Sequence, residues 1–237
     1  MTTAVGAKAR AIDALMERAS KALEATDYFE AEALCLRAFG EARERHDFDR
    51  CARICLPLQE ARRQIRQLAC DAGGSVTVLA ALPEGRARPS PGMYLIEPPL
   101  VGAAAREFRA LAARHRVPTM ILAREPATRA GKWPVVGVGT GPREPIVVRV
   151  QVSPPDVGPD AGWFQATQEA LGDAAIVKAP AGVPADHHVD DLADLLEAVP
   201  DHEKLIQELA RACVAAAGSP VSTVPRRRPL DANPFSF

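Results

Sequence analysis

Four charged side chains follow apolar runs, at positions where an α/β protein commonly carries its ligand-binding groups. Glu97 follows the run MYLI, Arg124 and Glu125 follow the run TMILA, and Arg143 lies between two later apolar runs. Ligands of an open α/β sheet bind beyond the carboxyl ends of its strands. We therefore expect a ligand site, if the chain has one, at Glu97, Arg124, Glu125 and Arg143, with the two arginines facing an anionic ligand.

A glycine-rich stretch, GVGTGP, also has the look of a phosphate-binding loop. Gly137, Gly139 and Gly141 follow an apolar strand, but the residues after them lead into another strand. A nucleotide loop must open a helix whose N-terminal N–H groups face the phosphates. The glycines therefore indicate a hairpin turn.

A third group has the side chains of a metal site. His187 and His188 lie beside Asp186, Asp190 and Asp191, and imidazole and carboxylate are both ligands of zinc. No HExxH-like spacing is present, and carboxylates at the start of a helix complement its dipole without any metal. We predict no metal site.

No established catalytic constellation is recognisable beyond these candidates. The chain has no GxSxG elbow, Walker loop, kinase catalytic loop or zinc-ribbon spacing. Its catalytic residues therefore remain unknown, no cofactor is predicted, and whether it is an enzyme stays open.

The stretch over residues 92–124 is the element that must position the charged candidates. Two short apolar runs flank a segment in which apolar residues recur at helical spacing and arginines take the other face. This pattern predicts a βαβ unit, in which the two strands are parallel.

The first 72 residues carry helical periodicity and no strand-like alternation. Asp27 and Asp47 precede the second and third helices as N-caps, and Glu30 completes a capping box with Asp27. Pro57 falls inside the third helix, where we expect a kink or a short break. The four arginines on the polar face of this helix indicate a solvated surface rather than a nucleic-acid site: Arg53, Arg62, Arg63 and Arg66.

Small and large residues alternate on the first two helices in a recognisable way. Leu15, Ala19 and Ala22, followed by Tyr28, Ala31 and Ala38, resemble one tetratricopeptide (TPR) repeat, and Phe48 and Ala52 resemble the beginning of a second. The resemblance implies close helix packing and a surface that holds peptides. A three-helix cap or dimerisation element with similar hairpin packing is the alternative.

The rest of the chain alternates strand-like and helical patterns. A buried strand is expected over 75–82, two strands joined by a Gly/Pro-rich link over 135–138 and 146–152, and a last strand over 174–179. Gly172 should stop a short helix, and two helices cover 187–199 and 201–217. The predicted fold is α/β: a TPR-like module (1–72), a mainly parallel-sheet domain with C-terminal helices (73–217) and a disordered tail (218–237) that contains an Asn-Pro-Phe motif.

Composition limits the classes of partner. The chain has 237 residues and a formal net charge of -1, so no overall field attracts it to nucleic acid or an acidic membrane. No apolar run approaches the length of a membrane span, and the first residues lack the apolar core of a secretory signal. The five cysteines show no CxxC pairing and indicate buried side chains in a reducing compartment. A cytoplasmic location follows.

Two functional hypotheses remain open at this point. The first is a non-catalytic interaction or adaptor protein with a protein partner or self-association. The second is an enzyme or small-molecule binder that holds an anionic ligand at the carboxyl edge of the sheet. A deep pocket where Glu97, Arg124 and Arg143 converge would favour the second. Side chains that point apart into solvent, together with an apolar groove along the first three helices, would favour the first.

Overall fold

The computed structural model of the chain describes residues 2–83, 87–140 and 145–226. Three helices come first: α1 (Thr2–Glu24), α2 (Tyr28–Arg43) and α3 (Phe48–Asp71). Both predicted caps are present. The Asp27 carboxylate accepts a hydrogen bond from the backbone N–H of Glu30, and the Asp47 carboxylate accepts one from Arg50. Helix α3 continues through Pro57, so the expected break is absent at this position.

The capping box at α2 is only half formed. Glu30 should return a hydrogen bond to the start of its own helix, but its carboxylate pairs instead with Arg18, 3.5 Å away, and with Arg116, 3.4 Å away. Ion pairs with Arg18 and Arg116 have replaced the local hydrogen bond between the Glu30 carboxylate and the N-cap backbone.

A five-stranded sheet follows the helices: β1 (Val76–Leu79), β2 (Gly92–Ile96), β3 (Thr119–Arg124), β4 (Trp133–Gly139) and β5 (Ile146–Val152). The strands lie in the order β1-β2-β3-β4-β5. Strands β1, β2 and β3 are parallel to one another, and β4 and β5 are antiparallel to their neighbours. Helix α4 (Gly102–Arg114) connects β2 to β3. The α/β fold class and its βαβ unit are confirmed, and the sheet as a whole is mixed.

Alternation along the strands gives the sheet two apolar faces. One packs against α4 through the buried residues Tyr94, Ile96, Ala105, Phe108, Leu111, Ile121, Ala123 and Val136. The other joins a larger core with the helices, to which the sheet contributes Met93, Leu95, Met120, Leu122, Val135 and Val148. That core contains residues of α3 as well as of the C-terminal helices. It therefore extends across the domain division predicted near Gly73, and that division stays a prediction.

Three helices complete the described chain: α5 (Ala161–Lys178), α6 (Ala185–Ala198) and α7 (Glu203–Ala217). The last two match the predicted pair closely. Within the described residues, no helix has the length and apolar character needed to cross a membrane.

Two strand predictions need correction. The strand expected to be buried over 75–82 is shorter, at Val76–Leu79, and Val78 is exposed because β1 is an edge strand with a neighbour on one side only. The last expected strand, over 174–179, is helical. Helix α5 passes through Gly172 and ends at Lys178, since its buried stripe continues from Leu171 to Ala175.

The glycines of the expected hairpin turn lie partly in β4. A Cβ at Gly137 would lie 2.6 Å from the backbone oxygen of Ala198, and one at Gly139 would lie 2.9 Å from its backbone nitrogen. Glycine at these two positions lets the end of α6 pack directly on the strand. Gly141 lies outside the described residues.

Candidate functional site

Three of the four predicted site residues meet at the carboxyl edge of the parallel strands. Glu97 follows β2, Arg124 ends β3, and Glu125 comes next. Arg124 Nη2 donates a hydrogen bond of 2.6 Å to Glu97 Oε2. Arg143 lies outside the described residues.

The start of β4 fixes the position of Arg124. The backbone N–H of Glu125 donates to the carbonyl of Pro134 across 2.8 Å, which holds the end of β3 against β4. The guanidinium carbon of Arg124 then lies 4.4 Å from the centroid of the Trp133 ring, a distance typical of a cation–π contact.

A second arginine completes the cluster from the outer strand. Arg149 on β5 donates from Nε to Glu125 Oε2 across 3.0 Å and from Nη2 to Glu125 Oε1 across 2.8 Å. This two-pronged geometry is the strongest form of the arginine–carboxylate contact. Sequence reasoning missed both Trp133 and Arg149. The signal that could have found Arg149 was the hairpin register of β4 and β5.

The electrostatics of the edge are those of a closed network. Each arginine has a glutamate partner, so two positive and two negative charges balance one another. An incoming anion would have to displace Glu97 or Glu125 and leave a partly buried carboxylate without its partner. Arg124 Nε is buried without a hydrogen-bond partner among the described residues.

Two cavities in the described part of the chain lie away from this edge. The first, beside Arg106, Arg109 and Asp201, has about 20 Å³, room for a single water molecule. The second has about 290 Å³ and is lined by small apolar residues between α5 and α6, by His188 and by two alanines of α7, with no lysine or arginine. The first is too small for an anionic ligand, the second has no cationic lining, and neither includes Glu97 or Arg124.

The aspartates of the histidine and aspartate cluster at the start of α6 make contacts within the chain. The Asp186 Oδ2 atom accepts a hydrogen bond from the backbone N–H of Ser222. Asp190 pairs with Arg43, and Asp191 pairs with Arg226. In the part of the chain that the structure describes, no group of three or more His, Cys, Asp or Glu residues is arranged to hold a metal.

The arginine face of α3 is only partly solvated. Arg62 donates to Glu32 across 2.7 Å and to the carbonyl of Pro200 across 3.0 Å. Arg66 donates to the carbonyl of Asp201 across 2.8 Å and pairs with Glu203. These two arginines therefore connect α3 to the loop between α6 and α7.

The cysteines behave as buried apolar groups. Cys35, Cys51, Cys55 and Cys213 are buried as free thiols, and Cys70 is half-buried. Burial raises the pKa of Cys35 to about 12, so this thiol stays protonated and unreactive at neutral pH.

The exposed leucines of the described chain lie on the second and third helices. Among the described residues, the large apolar side chains that remain exposed include Leu36 on α2 at 44%, and Leu56 and Leu68 on α3 at 74% and 43%. The other exposed large apolar residues are valines. The leucine exposure is therefore confined to the N-terminal helices.

Comparison with protein-family models, with curated proteins and with solved structures gives no match to this chain. The geometry defines an α/β protein whose predicted ligand edge is internally paired and whose exposed leucines are on its first helices.

Proposed function

We propose that this chain is a protein-binding or adaptor module without catalytic activity, and that it binds its partner through the surface of α2 and α3. The observation that carries the proposal is the exposure of Leu36, Leu56 and Leu68 on these two helices. Leucine is favoured inside a protein. Apolar side chains that are exposed together mark surfaces that a partner covers, and we propose that these three leucines act together in this way.

The packing of the first helices supports the TPR-like part of the proposal. Ala19, Ala31 and Ala38 are fully buried, and small side chains at these positions allow paired helices to approach closely, as in that repeat family. One and a half repeats make a short surface rather than a deep groove. We therefore propose a partner that contacts a few side chains of α2 and α3, or a second copy of the chain.

The paired charges at the sheet edge weigh against the enzyme hypothesis. Arg124, one of the two arginines predicted to face an anionic ligand, is engaged by Glu97, and the neighbouring Arg149 is engaged by Glu125. No catalytic constellation accompanies them in the described residues. The five free cysteines favour a cytoplasmic setting for the proposed role, because thiols persist in reducing compartments.

Site-specific photo-crosslinking tests the proposal. A photoreactive amino acid replaces Leu56, or, as a matched control, Val157, which is 99% exposed on the loop before α5. Mass spectrometry of the products formed in cells should identify a defined protein adduct from position 56 and none from position 157. That adduct should disappear when Leu36 and Leu68 are both changed to glutamine. Adducts with a second copy would identify self-association.

Two results would refute the assignment of this surface. One is the same set of adducts from both positions, which would mean that exposure alone determines the products. The other is the absence of any adduct from position 56 while the chain remains folded by circular dichroism.

A further inference from the structure

Helix α6 carries four aspartates: Asp186, Asp190, Asp191 and Asp194. Three of them are buried, with exposed fractions of 6% for Asp186, 7% for Asp191 and 5% for Asp194. A buried carboxylate destabilises a protein by several kcal/mol unless a cation or hydrogen-bond donors meet it. The three buried carboxylates of α6 therefore need cations or hydrogen-bond donors from other parts of the chain.

One cation comes from α2. Arg43 Nε lies 3.6 Å from Asp190 Oδ1, and Arg43 Nη1 lies 3.9 Å from Asp194 Oδ1. These distances leave room for a second cation at the same carboxylates.

The second cation comes from the segment that follows α7. Arg226 donates from Nε to Asp191 Oδ1 across 2.9 Å and from Nη2 to Asp194 Oδ2 across 2.8 Å, and Nη2 also contacts Asp191. A planar guanidinium thus spans two buried carboxylates, a geometry that lysine cannot reproduce.

The segment that delivers Arg226 is otherwise weakly attached. Residues 219–226 form neither helix nor strand, and Val221 and Val224 are exposed. Its main-chain contact with α6 is the hydrogen bond of 2.9 Å from the backbone N–H of Ser222 to Asp186 Oδ2. Arginine and backbone contacts, rather than apolar burial, hold it in place, as in the recognition of an extended peptide.

Asp186 has more hydrogen-bond acceptor capacity than segment 219–226 uses. Asp186 accepts the Ser222 N–H with one oxygen, while its other oxygen, Oδ1, is buried without a partner. A buried carboxylate oxygen normally has a donor. The α6 site therefore has unused acceptor capacity that segment 219–226 does not satisfy.

We propose that Asp186, Asp191 and Asp194 form a recognition site for an extended, arginine-bearing peptide of a partner protein, and that the chain's own segment 219–226 occupies this site as an intramolecular competitor. This site is on α6, apart from the leucines of α2 and α3, and it stands or falls independently of the function proposed above. The arginine enters between Asp191 and Asp194, and the peptide backbone donates to Asp186.

Intramolecular occupancy has a measurable consequence. A tethered segment has an effective concentration in the millimolar range, so a free peptide binds only while the segment is displaced. Removal of the tethered arginine should therefore tighten the binding of a free peptide.

The test uses the full chain with Arg226, Arg227 and Arg228 all changed to glutamine, so that no neighbouring arginine substitutes for Arg226. The probe is a fluorescent, amidated peptide with the sequence of residues 219–226, measured by fluorescence anisotropy at about 0.15 M ionic strength. We expect the triple variant to bind it at least about 10-fold more tightly than the unaltered chain does. The control variant Arg211→Gln, which removes an exposed arginine paired with Glu208 on α7, should bind like the unaltered chain.

Specificity is tested with two further changes. A peptide that carries glutamine in place of its arginine should bind the triple variant at least about 10-fold more weakly, and Asp191→Asn with Asp194→Asn, added to the triple variant, should abolish binding. Absence of binding to the folded triple variant, or equal binding of the arginine and glutamine peptides, would overturn the proposal.

Two measurements cover the remaining outcomes. If the triple variant is unfolded, hydrogen exchange of the unaltered chain decides: saturating peptide must increase exchange at residues 219–226, and unchanged exchange overturns the proposal. Sedimentation tests for a second copy as the occupant. Dimers that form with the unaltered chain and dissociate on addition of the peptide would overturn the assignment to a partner protein.

Discussion

Gly172 gives a sharp test of the packing between α5 and α7. It lies in the interior of α5, where glycine normally destabilises a helix by about 1 kcal/mol relative to alanine. A Cβ added there would lie 2.0 Å from Cγ, 2.3 Å from Cδ2 and 2.4 Å from Nδ1 of the His202 ring. His202, the N-cap residue of α7, is fully buried, so its ring has no solvent-filled space into which it can move.

We therefore expect Gly172→Ala to destabilise the protein although it improves helix propensity. Overpacking of a well-packed core costs about 1–3 kcal/mol, and overlap with a rigid, buried ring belongs at the upper end of that range. With about 1 kcal/mol regained from propensity, the free energy of unfolding should fall by about 2 kcal/mol. For a chain of this size, that corresponds to a decrease in Tm of about 4–8 °C.

Urea unfolding followed by circular dichroism measures the effect, and the chain supplies a matched control. Gly40 also lies inside a helix, α2, but a Cβ there would have nothing within 4 Å. Gly40→Ala should therefore raise the free energy of unfolding by up to about 1 kcal/mol. A Gly172→Ala variant as stable as the unaltered chain would refute the packing argument. So would a penalty that persists in the His202→Ala background, where the ring is absent.

Three further predictions concern pH, capping and the core. Burial lowers the pKa of His202, although Glu169 and Asp173 oppose that effect. The unfolded chain then binds more protons below pH about 6.5, so stability should fall as pH decreases through that value, and His202→Gln should flatten this slope in urea titrations. Asp47→Ala removes the cap of α3 and should lower the free energy of unfolding by about 1 kcal/mol, with no change in far-UV signal if the reasoning holds. Phe108 is on α4 and is buried in the core between this helix and the sheet. Phe108→Ala should lower the free energy of unfolding by about 3–5 kcal/mol in the same assay, and a loss below about 1 kcal/mol would contradict its burial.

The parts of the fold that could be predicted are those encoded locally. The caps at Asp27 and Asp47 were identifiable because a carboxylate before a helix meets free backbone N–H groups wherever the chain later packs. The βαβ unit was identifiable because two apolar runs flank a helical stripe. In contrast, the reason for a glycine at position 172 is the ring of His202, which lies 30 positions further along the chain. From the local sequence, Gly172 indicates a helix stop. Its place inside the helix is explained by the tertiary contact with His202.

The same distinction applies to the candidate site. Glu97, Arg124 and Glu125 could be placed together because parallel strands end at one edge of a sheet. Trp133 comes from β4, which lies beside β3, and Arg149 comes from β5, which lies beside β4. Local patterns do not specify this strand order. Without Arg149, Glu125 appears as an available charge, whereas the two side chains form an ion pair.

The two proposed surfaces share one structural element, and this limits how strongly they can influence each other. Asp194 pairs with Arg43 of α2 as well as with Arg226, and α2 carries Leu36. The Arg43–Asp194 pair is long, at 3.9 Å, and its arginine is 35% exposed, so we expect it to contribute about 1 kcal/mol to the coupling. Coupling between two sites is reciprocal, so peptide binding at α6 should change the affinity of a partner at α2 and α3 by no more than about 5-fold, and the reverse effect should be equal. Arg43→Gln should remove even this coupling, and a larger effect that survives the substitution would mean that another contact connects the two surfaces.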